Sequence, residues 1–259
     1  FMCSGALLLG KDEPIRRVFT HRVLRYAAVL IAFTLIEYLY EIHDDFSRFD
    51  PGNYLRTIYT SNIYGFFWFL YAYLGCLLML PFLRKLARGL GGVEALYLIA
   101  LQVVFTGAVP ALEYALGRGA FRLNPDFQLP LISQGVFFML IGYWAGGALD
   151  TARLRRSQLA GIALAGLAGI GLACLMTVYK AGVDGRYAPE LSQDFLGSFV
   201  ALPTVSTFIL VKCAFERLKW REGALRAINY AGELTFGVYL THIMVMRPCK
   251  PMLGRVGSW

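Results

Sequence analysis

The stretch Arg16-Arg17-Val-Phe-Thr-His21-Arg22-Val-Leu-Arg25-Tyr26-Ala-Ala-Val-Leu-Ile-Ala-Phe-Thr-Leu-Ile-Glu37-Tyr-Leu-Tyr-Glu41 decides the fold. Its first ten residues hold four arginines and a histidine, and the sixteen that follow are apolar or small apart from Glu37 and Glu41. A basic cluster that gives way to an apolar run is how a helix enters hydrocarbon from the cytoplasmic side. At 1.5 Å per residue, about 20 such residues cross a bilayer core about 30 Å thick.

Six more runs of the same kind follow. With the first they lie near 23–42, 62–83, 93–116, 128–149, 157–179, 194–215 and 228–246. Of the 259 residues, 57% are hydrophobic and only 16% are charged, against about 25% charged in soluble domains. Mean hydropathy is +0.54. A soluble globule or a disordered chain is excluded, because neither accommodates that much apolar surface in water. Residues 1–9 begin inside an apolar run and read as the end of a partial helix. The expected fold is all-α: a polytopic helix bundle of about seven full spans after a partial N-terminal helix. It is read as one membrane-embedded domain over 1–259, truncated at both ends.

Charge sets the orientation. Sixteen of the 25 Lys and Arg fall in one alternating set of connections, six in the other and three in the tail. The richer set faces the cytoplasm. The net charge of +8 belongs to these loops, and nucleic-acid binding is not expected. The five cysteines form no CxxC and no cluster with His, so neither a metal site nor a disulfide framework is indicated. P-loop, GxSxG and HExxH motifs are absent.

Few residues are placed to carry chemistry. Arg22 and Arg25 are three apart near the cytoplasmic start of the first span, where two guanidiniums can hold an anion such as a diphosphate. Arginines snorkelling to lipid phosphates account for the same spacing. Glu37, about twelve residues beyond Arg25, and His242, in Leu234-Thr-Phe-Gly-Val-Tyr-Leu-Thr-His242, fall in the outer half of their spans. Ionisable groups there are candidates for proton transfer or ligand binding, and a structural hydrogen bond is the plain alternative for each. Aromatic residues are dense from Tyr59 to Tyr73 and include Trp68 and Tyr71. Such rings stack on sugars or form an interfacial belt.

Five segments in order carry a resemblance. Phe1-Met-Cys-Ser4-Gly5-Ala-Leu-Leu is similar to an "FF-x-x-SG-x-LL" helix end, and Arg17-Val-Phe-Thr-His-Arg22-Val-Leu-Arg25 to an "F-x-K-R-x-x-R" helix entry. Trp68-Phe-Leu-Tyr71 with Leu80-Pro81-Phe-Leu-Arg84 resembles "HLWFLY…L-x-P-x-LR". Phe137-Phe-Met-Leu-Ile-Gly142-Tyr143 resembles "F-x-x-G-Y", and Thr235-Phe-Gly237-Val-Tyr239-Leu-Thr-His242 resembles "S-F-G-I-Y-L-I-H". The family is membrane acyltransferase family 3, whose members have ten membrane helices and move acyl groups, often acetyl from acetyl-CoA, onto surface carbohydrates. Phe66 stands where the third motif has His, and Tyr26-Ala27 where a Pro often follows the arginine pair.

The resemblance implies a multi-pass protein of the bacterial plasma membrane and an O-acyltransferase. Cytoplasmic acyl-CoA, most simply acetyl-CoA, is the donor substrate rather than a bound cofactor. An extracytoplasmic carbohydrate or glycolipid is the acceptor. Arg22 and Arg25 inherit acyl-CoA binding, while Trp68, Tyr71 and Tyr239 are expected to line the substrate path. The family's catalytic His precedes Phe1, so this chain alone is expected to be inactive, with Glu37 and His242 as its own candidates. The rival reading is a non-enzymatic transporter or flippase of lipid-linked sugars.

Overall fold

The computed structural model describes residues 1–60, 67–117, 123–124, 127, 129, 131, 133–185 and 199–253, and the described residues are helical with short connections. The helices are α1 Met2–Leu8, α2 Ile15–Glu41, α3 Pro51–Thr60, α4 Trp68–Arg88, α5 Gly92–Ala115, α6 Gln134–Tyr143, α7 Arg156–Asp184, α8 Ala201–Arg217 and α9 Glu222–Leu253. Four of them, α2, α4, α5 and α7, are long and apolar enough to cross a membrane. Their outward faces carry Ile31, Ile36, Phe82, Leu164, Leu175 and Val178 in the open, the all-round apolarity that marks a helix solvated by lipid.

Seven full spans were expected, and three of those segments differ from an uninterrupted apolar span. In the 128–149 run the described α-helix begins at Gln134 and has ten residues, and the non-helical Leu129 stands before Pro130, whose ring disfavours helix in the residue preceding it. In the 194–215 run, the described helix begins at Ala201 and has 17 residues. The last run lies in the 32-residue α9, where Glu222, Arg226, Asn229 and Glu233 dilute the apolar character.

The chain divides into two compact units, Phe1–Ile15 with Met79–Leu218, and Arg16–Leu78 with Lys219–Trp259. In the first, α1 and α6 pack at close range. A Cβ on Gly5 would strike the backbone of Met139, one on Gly142 the backbone of Met2, and one on Gly146 would lie 2.5 Å from Ala6 Cβ. Small residues are what let backbones approach so closely within a membrane. The antiparallel pair α7 and α8 uses Gly166 and Gly169 in the same way, against Ser206, Pro203 and Leu202.

Before α6, the chain descends along α5. The amide of Leu123 donates to Glu113 Oε1 (2.5 Å), the ring of Phe127 stacks on Phe105 (5.3 Å), and Leu129 and Leu131 share a cavity of about 300 Å³ with Leu98, Leu101 and Leu140. Trp144 reaches Gly92 at the start of α5. Helix α6 therefore begins about 16 Å from that end, partway along its neighbour.

Cations close the helix ends of this unit. After Tyr143 the chain makes a π turn, Trp144–Ala148, in which the Leu149 amide bonds the Trp144 carbonyl (2.8 Å). That shift takes from Ala145 O the amide an α-helix would give it. Lys212 of α8 supplies the replacement, with Nζ 3.0 Å from both Ala145 O and Leu149 O. Glu216 lies 3.6 Å from Lys212 and accepts from the Thr151 hydroxyl, while Arg217 donates to the carbonyls of Thr151, Ala152 and Leu154. Arg84, 5% exposed, bonds Leu8 O, Glu13 O and the Glu13 carboxylate (2.9 Å), and Arg88 pairs with Asp12.

Substituting Gly142 with Val is expected to abolish monodisperse protein in detergent gel filtration, since the collision is with backbone and cannot be relieved by a rotamer change. Gly147→Ala, whose Cβ meets nothing within 4 Å, should leave the elution profile and melting temperature unchanged. Normal behaviour of Gly142→Val would disprove the close α1–α6 crossing.

Candidate functional site

The site lies in the second unit, along one face of α2. Counting at 100° per residue places Arg22, Tyr26, Leu30, Thr34 and Glu37 on a single stripe, with Arg25 beside it. From Arg22 to Glu37 is about 22 Å along the axis. The stripe thus carries cationic groups near one end and a carboxylate near the other.

The inner end is irregular. Residues Phe19–Val23 form a π turn in which the amide of Leu24 bonds the Phe19 carbonyl. A π turn is costly and recurs at functional positions. It holds His21, exposed and 2.8 Å from the Thr20 hydroxyl, and the half-buried Arg22. Arg25 is exposed on the first regular turn that follows.

The middle of the stripe is aromatic. Tyr26 packs on Tyr73 (4.8 Å between ring centroids) and Phe236 (5.9 Å), Tyr73 stacks on Phe69 (5.7 Å), and Phe69 meets Tyr239 edge-on (5.5 Å). Below the rings, Leu30, Phe67, Leu70 and Leu240 make a buried core, with Tyr71 and Tyr239 against it. Of the expected path residues, Tyr71 is half-buried and donates its hydroxyl to Ile58 O (3.2 Å), Tyr239 is half-buried, and Trp68 is 49% exposed. Phe66 lies outside the described residues.

His242 is bonded at Nδ1 to the Tyr239 carbonyl (2.6 Å), with its ring stacked 5.8 Å from that of Tyr239. A carbonyl only accepts, so Nδ1 carries the proton of this bond.

The outer end is polar and closed. Glu37 and Thr34 are fully buried, and Tyr54 nearly so. The Thr34 hydroxyl donates to Leu30 O (2.7 Å), and the Tyr54 hydroxyl lies 2.9 Å from both Thr34 Oγ1 and Ile31 O. Ile31 is about ten residues short of the outer end of α2, so α3 folds back beside it rather than floating as a loop. A tether holds the return. The Tyr38 hydroxyl bonds Arg48 O and the Asp50 amide (3.2 and 3.3 Å). Asp45 caps the turn that leads in, and hydrogen bonds from the Ser47 hydroxyl and amide hold its carboxyl below its ordinary range.

Sequence reasoning placed Glu37 in the outer half and missed its neighbours. Thr34 stands one turn before Glu37, where residues three apart are adjacent, and that spacing was a readable signal. Tyr54 had none, because nothing in the loop announces which tyrosine turns inward.

Compared with known proteins, the whole chain, residues 1–259, matches acyltransferase family 3, described as an acyltransferase domain. No curated protein and no solved structure matches it. The chain belongs to that family and is a membrane protein.

Tyr54→Phe is expected to lower stability by about 1 kcal/mol, the usual worth of a buried hydrogen bond between neutral groups. Equilibrium unfolding in detergent would read it, and an unchanged midpoint would contradict the packing of α3 on α2.

Proposed function

We propose that this acyltransferase moves an acyl group, most simply acetyl, from cytoplasmic acyl-CoA to a hydroxyl of an extracytoplasmic carbohydrate or glycolipid at the plasma membrane. The observation that carries the reading is the stripe on α2, with guanidiniums at one end and a buried carboxylate about 22 Å away. Family membership supplies the reaction type. The stripe supplies a reason for a helix to be polar at both depths.

In this reading Arg22 and Arg25 hold the diphosphate of the donor, because paired guanidiniums bind phosphate oxygens through charge-assisted hydrogen bonds. The acyl arm extends along α2 past the aromatic rings. Near Thr34 and Glu37 the acceptor hydroxyl is oriented, and Glu37 draws on its proton as the oxygen attacks the thioester carbon. The carbon–sulfur bond breaks, the ester carbon–oxygen bond forms, and the proton finishes on the CoA thiol. His242 is the second candidate for proton transfer, through Nε2.

The test uses the full-length protein in proteoliposomes, with acyl-CoA supplied on one side and thiol release measured. Arg22→Ala and Arg25→Ala should each raise the KM for acyl-CoA by about ten- to a hundredfold, the loss of a charged hydrogen bond worth about 1.5–3 kcal/mol. Glu37→Gln should leave KM in place and lower kcat by about a hundredfold or more. Wild-type kinetics from all three variants would overturn these assignments. Movement of a lipid-linked sugar with no thiol released would favour the transporter.

A further inference from the structure

The Tyr26 hydroxyl is the feature that neither the fold nor the proposed chemistry uses. Its oxygen is buried and has no hydrogen-bond partner among the described residues. The groups packed on its ring are other rings, those of Tyr73 and Phe236. A phenylalanine would make the same ring contacts, so packing does not explain the hydroxyl. Leaving it unsatisfied is costly, and hydrocarbon offers no water to relieve the deficit. A buried polar atom kept without a partner calls for an explanation outside the chain's own contacts.

Position supplies the explanation. Tyr26 is four residues beyond Arg22 on the same stripe, about 6 Å further along α2. A ligand whose diphosphate sits on the arginines and whose arm runs along the helix brings its next groups to this level. In acyl-CoA those groups are the pantoyl hydroxyl and the first amide of the pantetheine arm, a few bonds from the diphosphate. The amide carbonyl is a strong acceptor, and a phenol donates one proton. Phe236, which packs on the Tyr26 ring, is 39% exposed, so a side-chain rotation suffices to admit the arm, as is common at binding surfaces.

We propose that Tyr26 is a donor-binding residue whose hydroxyl donates to the pantetheine-arm amide carbonyl nearest the diphosphate of acyl-CoA. This rests on the acyl-CoA reading of the arginine pair. It adds recognition of the arm to recognition of the phosphates.

The test measures binding of coenzyme A and of adenosine diphosphate, which has a diphosphate and lacks the arm, to full-length protein in nanodiscs by calorimetry. Tyr26→Phe should weaken coenzyme A about tenfold, leave adenosine diphosphate unchanged and not lower the melting temperature. Unchanged affinity for coenzyme A would overturn the assignment of Tyr26 while leaving the donor reading intact. Equal weakening of both probes would also overturn it, since it would mark a general distortion of the site. Should the wild type bind neither probe, the acyl-CoA reading fails and Tyr26 with it. Arg22→Ala, which should weaken both probes, separates phosphate binding from arm binding.

Discussion

A backbone in hydrocarbon has no water to bond, and each polar group that a helix leaves open needs a partner from the protein. The structure is organised around meeting that demand. Lys212 takes the carbonyls freed by the π turn after α6, Arg217 takes three more, and Arg84 closes the end of α1. On α2, hydroxyls add a second bond to carbonyls within the regular helix, Thr34 to Leu30 O and Tyr54 to Ile31 O. These are not surface decorations, because removing a buried partner exposes the full cost of the group left behind.

This view changes how the basic residues are understood. Read as sequence, they are topology signals that sort by side of the membrane. In three dimensions Arg84 and Lys212 are also helix terminators, pointing their donors at the negative ends of helix dipoles, while Arg217 ties down the turn that leads into α7. One composition bias thus serves two physical ends. Arg22 and Arg25, near the starting end of α2, are at the wrong pole for that duty.

The all-α character and the helices α2, α4, α5 and α7 were legible because they follow from length, periodicity and rise per residue. What escaped was set by contacts between segments distant in sequence. The shortness of α6, ten residues from Gln134 to Tyr143, is a feature that hydropathy averaging erases. The inward turn of Tyr54 and the π turns at Phe19–Val23 and Trp144–Ala148 depend on partners no local rule supplies. The glycines on α6 and α7 did point to close packing, though not to which helices would meet.

The short α6 also bears on how the protein is made. With the π turn that continues it to Ala148, it covers about 22 Å, well under the roughly 30 Å of hydrocarbon. Released alone into lipid, so short a helix would leave its end groups in a medium that cannot bond them. Biogenesis must therefore be ordered: the nascent segment enters the bilayer productively only once α5 offers a surface to lie on and α1 offers the glycine crossing. Partner helices synthesised earlier act as its assembly template, and membrane insertion of this region is a tertiary event rather than a property of the segment.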